Sequence, residues 1–320
     1  MKLKIVSMLL LFSFACSSEA QTKVSCTAGR YQKDLFQPSA KKTVVYAKNN
    51  DWKGNEAALE ADVFEPAGDP SGLRPLIIFA HGGGYVQGDK VDMDYACGQF
   101  TKKGFVTASI NYRLIPMDKI YDVQNMKREL VLAMNDMKAA IRFFRQSAAS
   151  GNPYKIDANN IFIGGASAGA ITALHVGLVD AGDVLPPDVA KFVADEGGLE
   201  GNTGSAENHK FSSKVKGIIN YSGSILDDKW IGKNDAPVFS YHGTADDVVP
   251  IGYGLAGKSI NMYGSESIKT RADAVGLDNI LVKAPGGGHT NIYLEPAYAS
   301  FYIDFHNQLY AKMRSMICGK

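Results

Sequence analysis

Ile161-Phe162-Ile163-Gly164-Gly165-Ala166-Ser167-Ala168-Gly169-Ala170 is the stretch whose reading decides the fold. A short apolar run ends in glycines, a serine stands between Gly165 and Gly169, and Ala170-Ile171-Thr172-Ala173-Leu174 continues as a helix would. The order is strand, tight turn, helix, with Ser167 at the apex. A sharp strand-to-helix corner strains its central residue and leaves no room for side chains on either flank, which is a steric reason for the glycines. The serine hydroxyl is presented at a helix N-terminus, where backbone N–H groups and the positive end of the helix dipole favour developing negative charge. G-x-S-x-G alone is a common pattern, so the rest of the chain must supply a base, an acid and an anion site.

The chain is long enough for them: 320 residues with 45% hydrophobic content can bury a large core. A net charge of +1 and the lack of any basic run argue against nucleic acid as a partner. Apolar stretches at 43–47, 59–64, 76–80, 105–112, 215–221, 237–241 and 279–283 read as strands beside the one before Ser167. Helices are expected at 97–102, at 123–147, between the last two strands, and at 296–316. The second of these carries Leu130, Met134, Met137, Ile141 and Phe144 at steps of four and three. Strands alternating with helices mean a mostly parallel sheet covered on both sides, hence an α/β fold of about eight strands in one domain. Residues 180–213 are polar and glycine-rich, and read as a small cap insertion with one short helix at 188–194.

The N-terminus reads as an export signal, with Lys2 and Lys4 ahead of an apolar segment too short to span a bilayer. Cleavage after Ala20 would leave a mature chain of 21–320. Cys16 in Ser13-Phe14-Ala15-Cys16 offers the alternative of a lipid anchor at the outer surface. With Cys16 removed, Cys26, Cys97 and Cys318 remain, an odd number for an oxidising compartment. Cys26 could pair with Cys318 or with Cys97, and sequence does not choose. No Cys/His pair has zinc-ligand spacing, so neither metal nor cofactor is expected.

A serine becomes a nucleophile at neutral pH only beside a base that a carboxylate orients. In an open parallel sheet such groups gather beyond the strand C-termini. Two loops qualify: His242-Gly243-Thr244-Ala245-Asp246-Asp247-Val248-Val249-Pro250, and Ala284-Pro285-Gly286-Gly287-Gly288-His289. His289 is the expected base, with His242 the runner-up and more plausibly structural; Asp246 and Asp247 compete for the acid. His175 is expected to pack on the helix after Ser167, and His209 and His306 to lie at the surface. His81-Gly82-Gly83-Gly84 directly follows a buried strand, and bare glycine amides can approach an oxyanion where side chains would intrude. Gly83, Gly84 and Ala168 are the expected donors.

Taken together, HGGGYVQG at 81–88, NYRLIP at 111–116, GASAG at 165–169, HGTADDVVP at 242–250 and the GGGH ending at His289 resemble esterases of the α/β-hydrolase superfamily, in its carboxylesterase and hormone-sensitive-lipase-like group. The likeness runs from about residue 59 to the last helix. It implies a single α/β-hydrolase domain and a Ser167, Asp246, His289 triad in the serine, acid, histidine order of that fold. The H-G-x-x-D-x-x-V-P signature assigns the acid to Asp246 and leaves Asp247 to solvent or a cap. It further implies an acyl-enzyme mechanism without a cofactor, acting on small or polymer-linked esters. Ala166 stands where such relatives often carry an acid, Asn111 where the lipase-like branch has Asp, and no large N-terminal helical cap is evident. These departures lean toward secreted carboxylesterases, including feruloyl and acetylxylan esterases and polyester depolymerases. A prolyl-oligopeptidase-like peptidase and a non-catalytic binding module on the same fold are the rival readings.

Overall fold

A computed structural model describes residues 24–319. The export signal at 1–20 and the possible anchor at Cys16 lie outside the described residues.

Eight strands form one sheet: β1 (Lys42–Asn50), β2 (Glu56–Phe64), β3 (Arg74–Ala80), β4 (Val106–Ile110), β5 (Ile156–Ala166), β6 (Ile218–Tyr221), β7 (Val238–Gly243) and β8 (Asn279–Ala284). Their spatial order is β8-β7-β6-β5-β3-β4-β2-β1. β1, β2 and β4 pair antiparallel at one edge, and every other pairing is parallel. The expected eight-stranded, mostly parallel architecture is therefore present. Side chains alternate between two layers, as the twofold period of a strand requires. In β3, Leu76, Ile78 and Ala80 face one core cluster, whereas Ile77 and Phe79 face the other.

The first cluster is covered by α2 (Val123–Ala149), α3 (Ala168–Leu178) and α5 (Ser265–Val275), the second by α1 (Asp94–Thr101) and α7 (Ala299–Cys318). The stripe Leu130, Met134, Met137, Ile141 and Phe144 on α2 is buried as its spacing predicts. Burying one such side chain is worth about 1.5–3 kcal/mol, so this stripe, more than helix propensity, holds α2 to the sheet. The outer face of α2 is also covered. Asp136 receives Arg113 Nη2–H at 2.7 Å and Thr203 Oγ1–H at 2.9 Å, and Arg142 donates to Asn208 Oδ1 at 2.8 Å and to the Thr203 carbonyl at 2.9 Å.

Thr203 and Asn208 belong to the segment expected as a cap. It contains the anticipated short helix, α4 (Pro187–Asp195), whose Val189 and Val193 pack against Val131 of α2. The segment is a strap across α2, drawn there by buried charges that need partners. One element went unforeseen: the strands Tyr253–Ala256 and Ile260–Gly264 form an antiparallel hairpin between β7 and α5, and pair further with Ser224–Ile225.

Of the two open cysteine pairings, Cys26–Cys318 is formed, with Cα atoms 5.8 Å apart, and Cys97 is a buried free thiol. Burial pushes its pKa up to about 12, so it stays protonated and inert. Among the described residues no helix is long and apolar enough to cross a membrane.

Candidate active site

β5 delivers Ser167 at its C-terminal end and α3 begins at the next residue. Ser167 has φ 53° and ψ −120°, a strained conformation for a residue with a side chain. Its N–H donates to the Tyr221 carbonyl at 2.9 Å, which fixes the corner to β6. Close packing explains the flanking glycines. A Cβ on Gly165 would lie 2.4 Å from the Gly169 carbonyl carbon, and one on Gly169 would lie 2.1 Å from the Ala80 oxygen. The crossing of β3, β5 and α3 thus tolerates hydrogen alone at both positions.

β7 and β8 end side by side, Gly243 opposite Ala284, so their following loops meet beside Ser167. His289 Nδ1–H donates to Asp246 Oδ2 at 2.7 Å, and the Ser167 hydroxyl donates to His289 Nε2 at 2.9 Å. Asp246 Oδ1 accepts the Val248 and Val249 N–H groups at 2.9 and 2.8 Å. Burial alone would raise the Asp246 pKa, but hydrogen bonds from His242, His289 and the Val249 N–H outweigh it and hold the carboxyl well below its usual range. It is an anion at neutral pH. Asp247 is exposed.

His242, the runner-up base, is fully buried and does not reach Ser167. Its Nδ1 accepts the Ser265 hydroxyl at 2.7 Å, which makes Nε2 the protonated nitrogen; Nε2–H donates to the Val249 carbonyl at 2.8 Å and lies 3.2 Å from Asp246 Oδ2. It therefore steadies the acid from behind. His175 is packed, as expected, and His209 is exposed. His306 departs from its expected surface position. It lies on the inward stripe of α7 one turn from Tyr302 and from Tyr310, donates from Nδ1 to the Tyr302 carbonyl and accepts the Tyr221 hydroxyl on Nε2 at 2.9 Å. A polar residue type at an inward helical position gave no sign in the sequence that a buried hydroxyl awaited it.

On the opposite side of Ser167, Gly83 has φ 101° and no space for a Cβ, which would lie 2.1 Å from the Gln87 oxygen. The loop is braced at its start: Tyr112 donates to the His81 carbonyl at 2.9 Å, the two rings stack at 4.5 Å, and His81 Nδ1–H donates to the Gly82 carbonyl at 2.7 Å. Asn111, standing where an Asp was the pattern, ties down the next turn through the Lys90 N–H at 2.6 Å and Asp89 Oδ2 at 3.0 Å. Among the described residues the N–H groups of Gly83 and Gly84 have no acceptor. Ala168, the first residue of α3, has no carbonyl one turn back to bond. Three amide donors are thus left unspent around one serine.

A cavity of about 500 Å³ opens beside Ser167. Gly84, Tyr85, Leu130, Ala168, Ile171 and Leu226 line it together with Ser167. The unforeseen hairpin adds Ala256 through Ile260 and Met262 to its lining. The signal for that hairpin was available in Tyr253-x-Leu255 and Ile260-x-Met262 around Gly257-Lys258-Ser259, an alternation flanking a glycine turn. No residue of 180–213 lines this cavity, so the strap on α2 contributes nothing to its roof. Among the described residues no group of His, Cys, Asp and Glu is arranged to hold a metal.

Sheet order, corner and loops define the α/β-hydrolase fold. The chain belongs to the BD-FAE family, whose model matches residues 61–227, just over half of its length. Isoprenylcysteine alpha-carbonyl methylesterase ICME of Arabidopsis thaliana is 22% identical over 293 residues, which is 82% of this chain and 59% of that protein. The chain thus spans about three fifths of the curated relative. Among solved structures, esterase Est2 of Thermogutta terrifontis with propionate bound superposes with a TM-score of 0.62 at 20% identity, covering 88% of this chain and 97% of that one. The same organism's esterase 2 phosphorylated by paraoxon gives 0.61 at 21%, over 88% and 96%. These likenesses establish the fold.

Proposed function

We propose that the chain is an exported serine esterase in which Ser167, His289 and Asp246 act as a triad. His289 takes the Ser167 proton as the hydroxyl oxygen attacks the ester carbonyl carbon. Asp246 holds the imidazole in the required tautomer and steadies its charged form. The N–H groups of Gly83, Gly84 and Ala168 receive the oxyanion, an arrangement in which each donor is typically worth about 10²–10³ in rate. His289 then protonates the departing alcohol. Water, activated by the same imidazole, hydrolyses the acyl-enzyme and returns Ser167. The observation that carries the reading is the unbroken hydrogen-bonded chain from Asp246 through His289 to Ser167, at 2.7 and 2.9 Å.

In this reading residues 1–20 are removed on export and 21–320 form one catalytic domain. The Cys26–Cys318 disulfide supports an oxidising destination. The substrates are short-chain esters or acetyl and feruloyl esters linked to polysaccharide. Ser167→Ala should lower p-nitrophenyl acetate hydrolysis by about 10⁴–10⁶-fold while leaving the fold intact by circular dichroism. Parental turnover by that variant would remove the assignment.

A further inference from the structure

The cavity beside Ser167 has a direction. Gly84, Ala168 and Ser167 lie on its border and His289 does not. The leaving alcohol must meet His289 Nε2 to collect its proton, so it lies on the imidazole side, where the ring is partly open to water. The group that stays on Ser167 in the acyl-enzyme is left facing the cavity. The cavity is therefore the acyl subsite.

Its size and lining define the acyl group. At roughly 30 Å³ per water-sized group, about 500 Å³ holds on the order of fifteen heavy atoms, and an acetyl group would leave most of it filled with poorly bonded water. The interior side chains are apolar: Leu130, Ile171 and Met262 are buried, and Ile260 and Leu226 are partly so. The Tyr85 hydroxyl is already engaged with Thr172 Oγ1 at 3.0 Å. Polar groups from Lys258 and Ser259 stand in the exposed or half-exposed hairpin turn. The hairpin is shaped for this role. On its cavity face Met262 is paired with Gly254 and Ile260 with Ala256, large against small, so the wall presents methyl and thioether groups without closing the space. Its position is also set: the Gly257 N–H donates to the Val248 carbonyl at 2.8 Å, on the peptide run whose N–H groups bind Asp246.

We infer that this esterase selects an unsubstituted aliphatic acyl chain longer than butyryl and up to about fifteen carbons, held against the hairpin at Ile260 and Met262, and leaves the alcohol largely unselected. The inference rests on the Ser167 mechanism above and replaces its acetyl and feruloyl substrates with longer aliphatic esters. Bulky lining should shorten the preferred chain and lost lining should lengthen it.

The experiment is a series of p-nitrophenyl esters from acetate through butyrate, hexanoate, octanoate and decanoate to palmitate, with methyl ferulate and methyl octanoate compared separately. kcat/KM should rise by up to about fourfold per methylene until the cavity is full, and then fall. Methyl octanoate should be preferred to methyl ferulate. Ile260→Trp should lower the octanoate-to-butyrate ratio at least tenfold. Met262→Ala, which removes bulk, should move the optimum to longer chains and covers the case in which the tryptophan variant fails to fold. An optimum at acetate, a preference for ferulate, or an unchanged ratio in both folded variants would overturn the assignment. Loss of all ester hydrolysis would instead count against the Ser167 mechanism, so the two failures are distinct.

Discussion

The loops around Ser167 and the region around Asp69 sit beyond opposite ends of β3, and they are built on opposite terms. At the C-terminal end the backbone is strained. Of the seven non-glycine residues with positive φ among the described residues, Tyr85, Ser167 and Lys258 line the cavity and Ser222 follows β6, while Tyr31 and Lys155 stand beside Arg30 and Arg74 at the other end. Donors around Ser167 are left without acceptors and a carboxylate is spent on orienting an imidazole. At the N-terminal end the Asp69 carboxylate is fully engaged, although Arg30 Nε and the Tyr31 hydroxyl are buried without a partner among the described residues. Asp69 takes Arg30 on both oxygens at 2.9 and 2.5 Å, Arg74 Nε–H at 2.8 Å and the Ser71 N–H at 3.0 Å. Burial would raise its pKa, yet the Arg30, Ser71 and Arg74 contacts hold it well below the usual carboxylate range. The disulfide from Cys26 to Cys318 joins the chain's two ends across a separation of 292 residues. Backbone strain persists only where the surroundings over-determine it, and the clamp is one such fixed surrounding of the same sheet.

That contrast makes rate and stability separable, and four measurements probe it. The largest effect belongs to Asp246→Asn, which should lower kcat by about 10³–10⁴-fold because the imidazole loses its tautomer control, with a far smaller change in urea unfolding. A clamp-sized loss of stability in that variant would break the division. Asp69→Asn should do the reverse. Removing one partner from a buried ionic cluster costs about 3–5 kcal/mol, read from urea unfolding, while kcat per folded molecule stays within about twofold.

The third measurement is acid stability between pH 6.5 and 4. His175 and His306 are neutral and buried, and burial lowers both to about 4. The unfolded chain takes up those protons first, near pH 6.5, so stability present above that value is lost steadily as pH falls toward 4. Asp69, with a depressed pKa, keeps its contribution until pH falls below about 4. The parent and Asp69→Asn should therefore show parallel slopes in this window, and a flat profile in the variant would mean that the clamp titrates there after all. The smallest effect is Asp247→Asn, which should change kcat/KM by less than about twofold because the exposed carboxylate neighbours the acid without sharing its bonds. A large loss would exchange the roles of the two acids.

How far the sequence could be read follows from the range of the forces involved. The elbow was legible because its demands are local: a strand, a corner and a helix within ten residues, with glycines where Gly165 and Gly169 now touch backbone. The α2 stripe was legible because helical period and burial coincide. The hairpin at 253–264 was missed, although it walls the cavity, because a short alternation beside a longer helical signal is easily absorbed into a loop. The strap at 180–213 was read as a cap because polarity and glycine content report exposure and irregularity, and say nothing about which face of the molecule a segment crosses. His306 was misplaced for a related reason, since its burial depends on Tyr221, 85 residues away.

By itself, the sequence determined the class of fold, the serine, and the loops from which acid, base and amides had to come, because backbone sterics and hydrophobic period act over a few residues. Only the packed molecule shows that Cys26 meets Cys318, that His242 braces Asp246 without touching Ser167, and that a hairpin lines the cavity beside Ser167. Those outcomes depend on distances between segments far apart in the chain, which only the packed sheet brings within hydrogen-bonding and van der Waals reach.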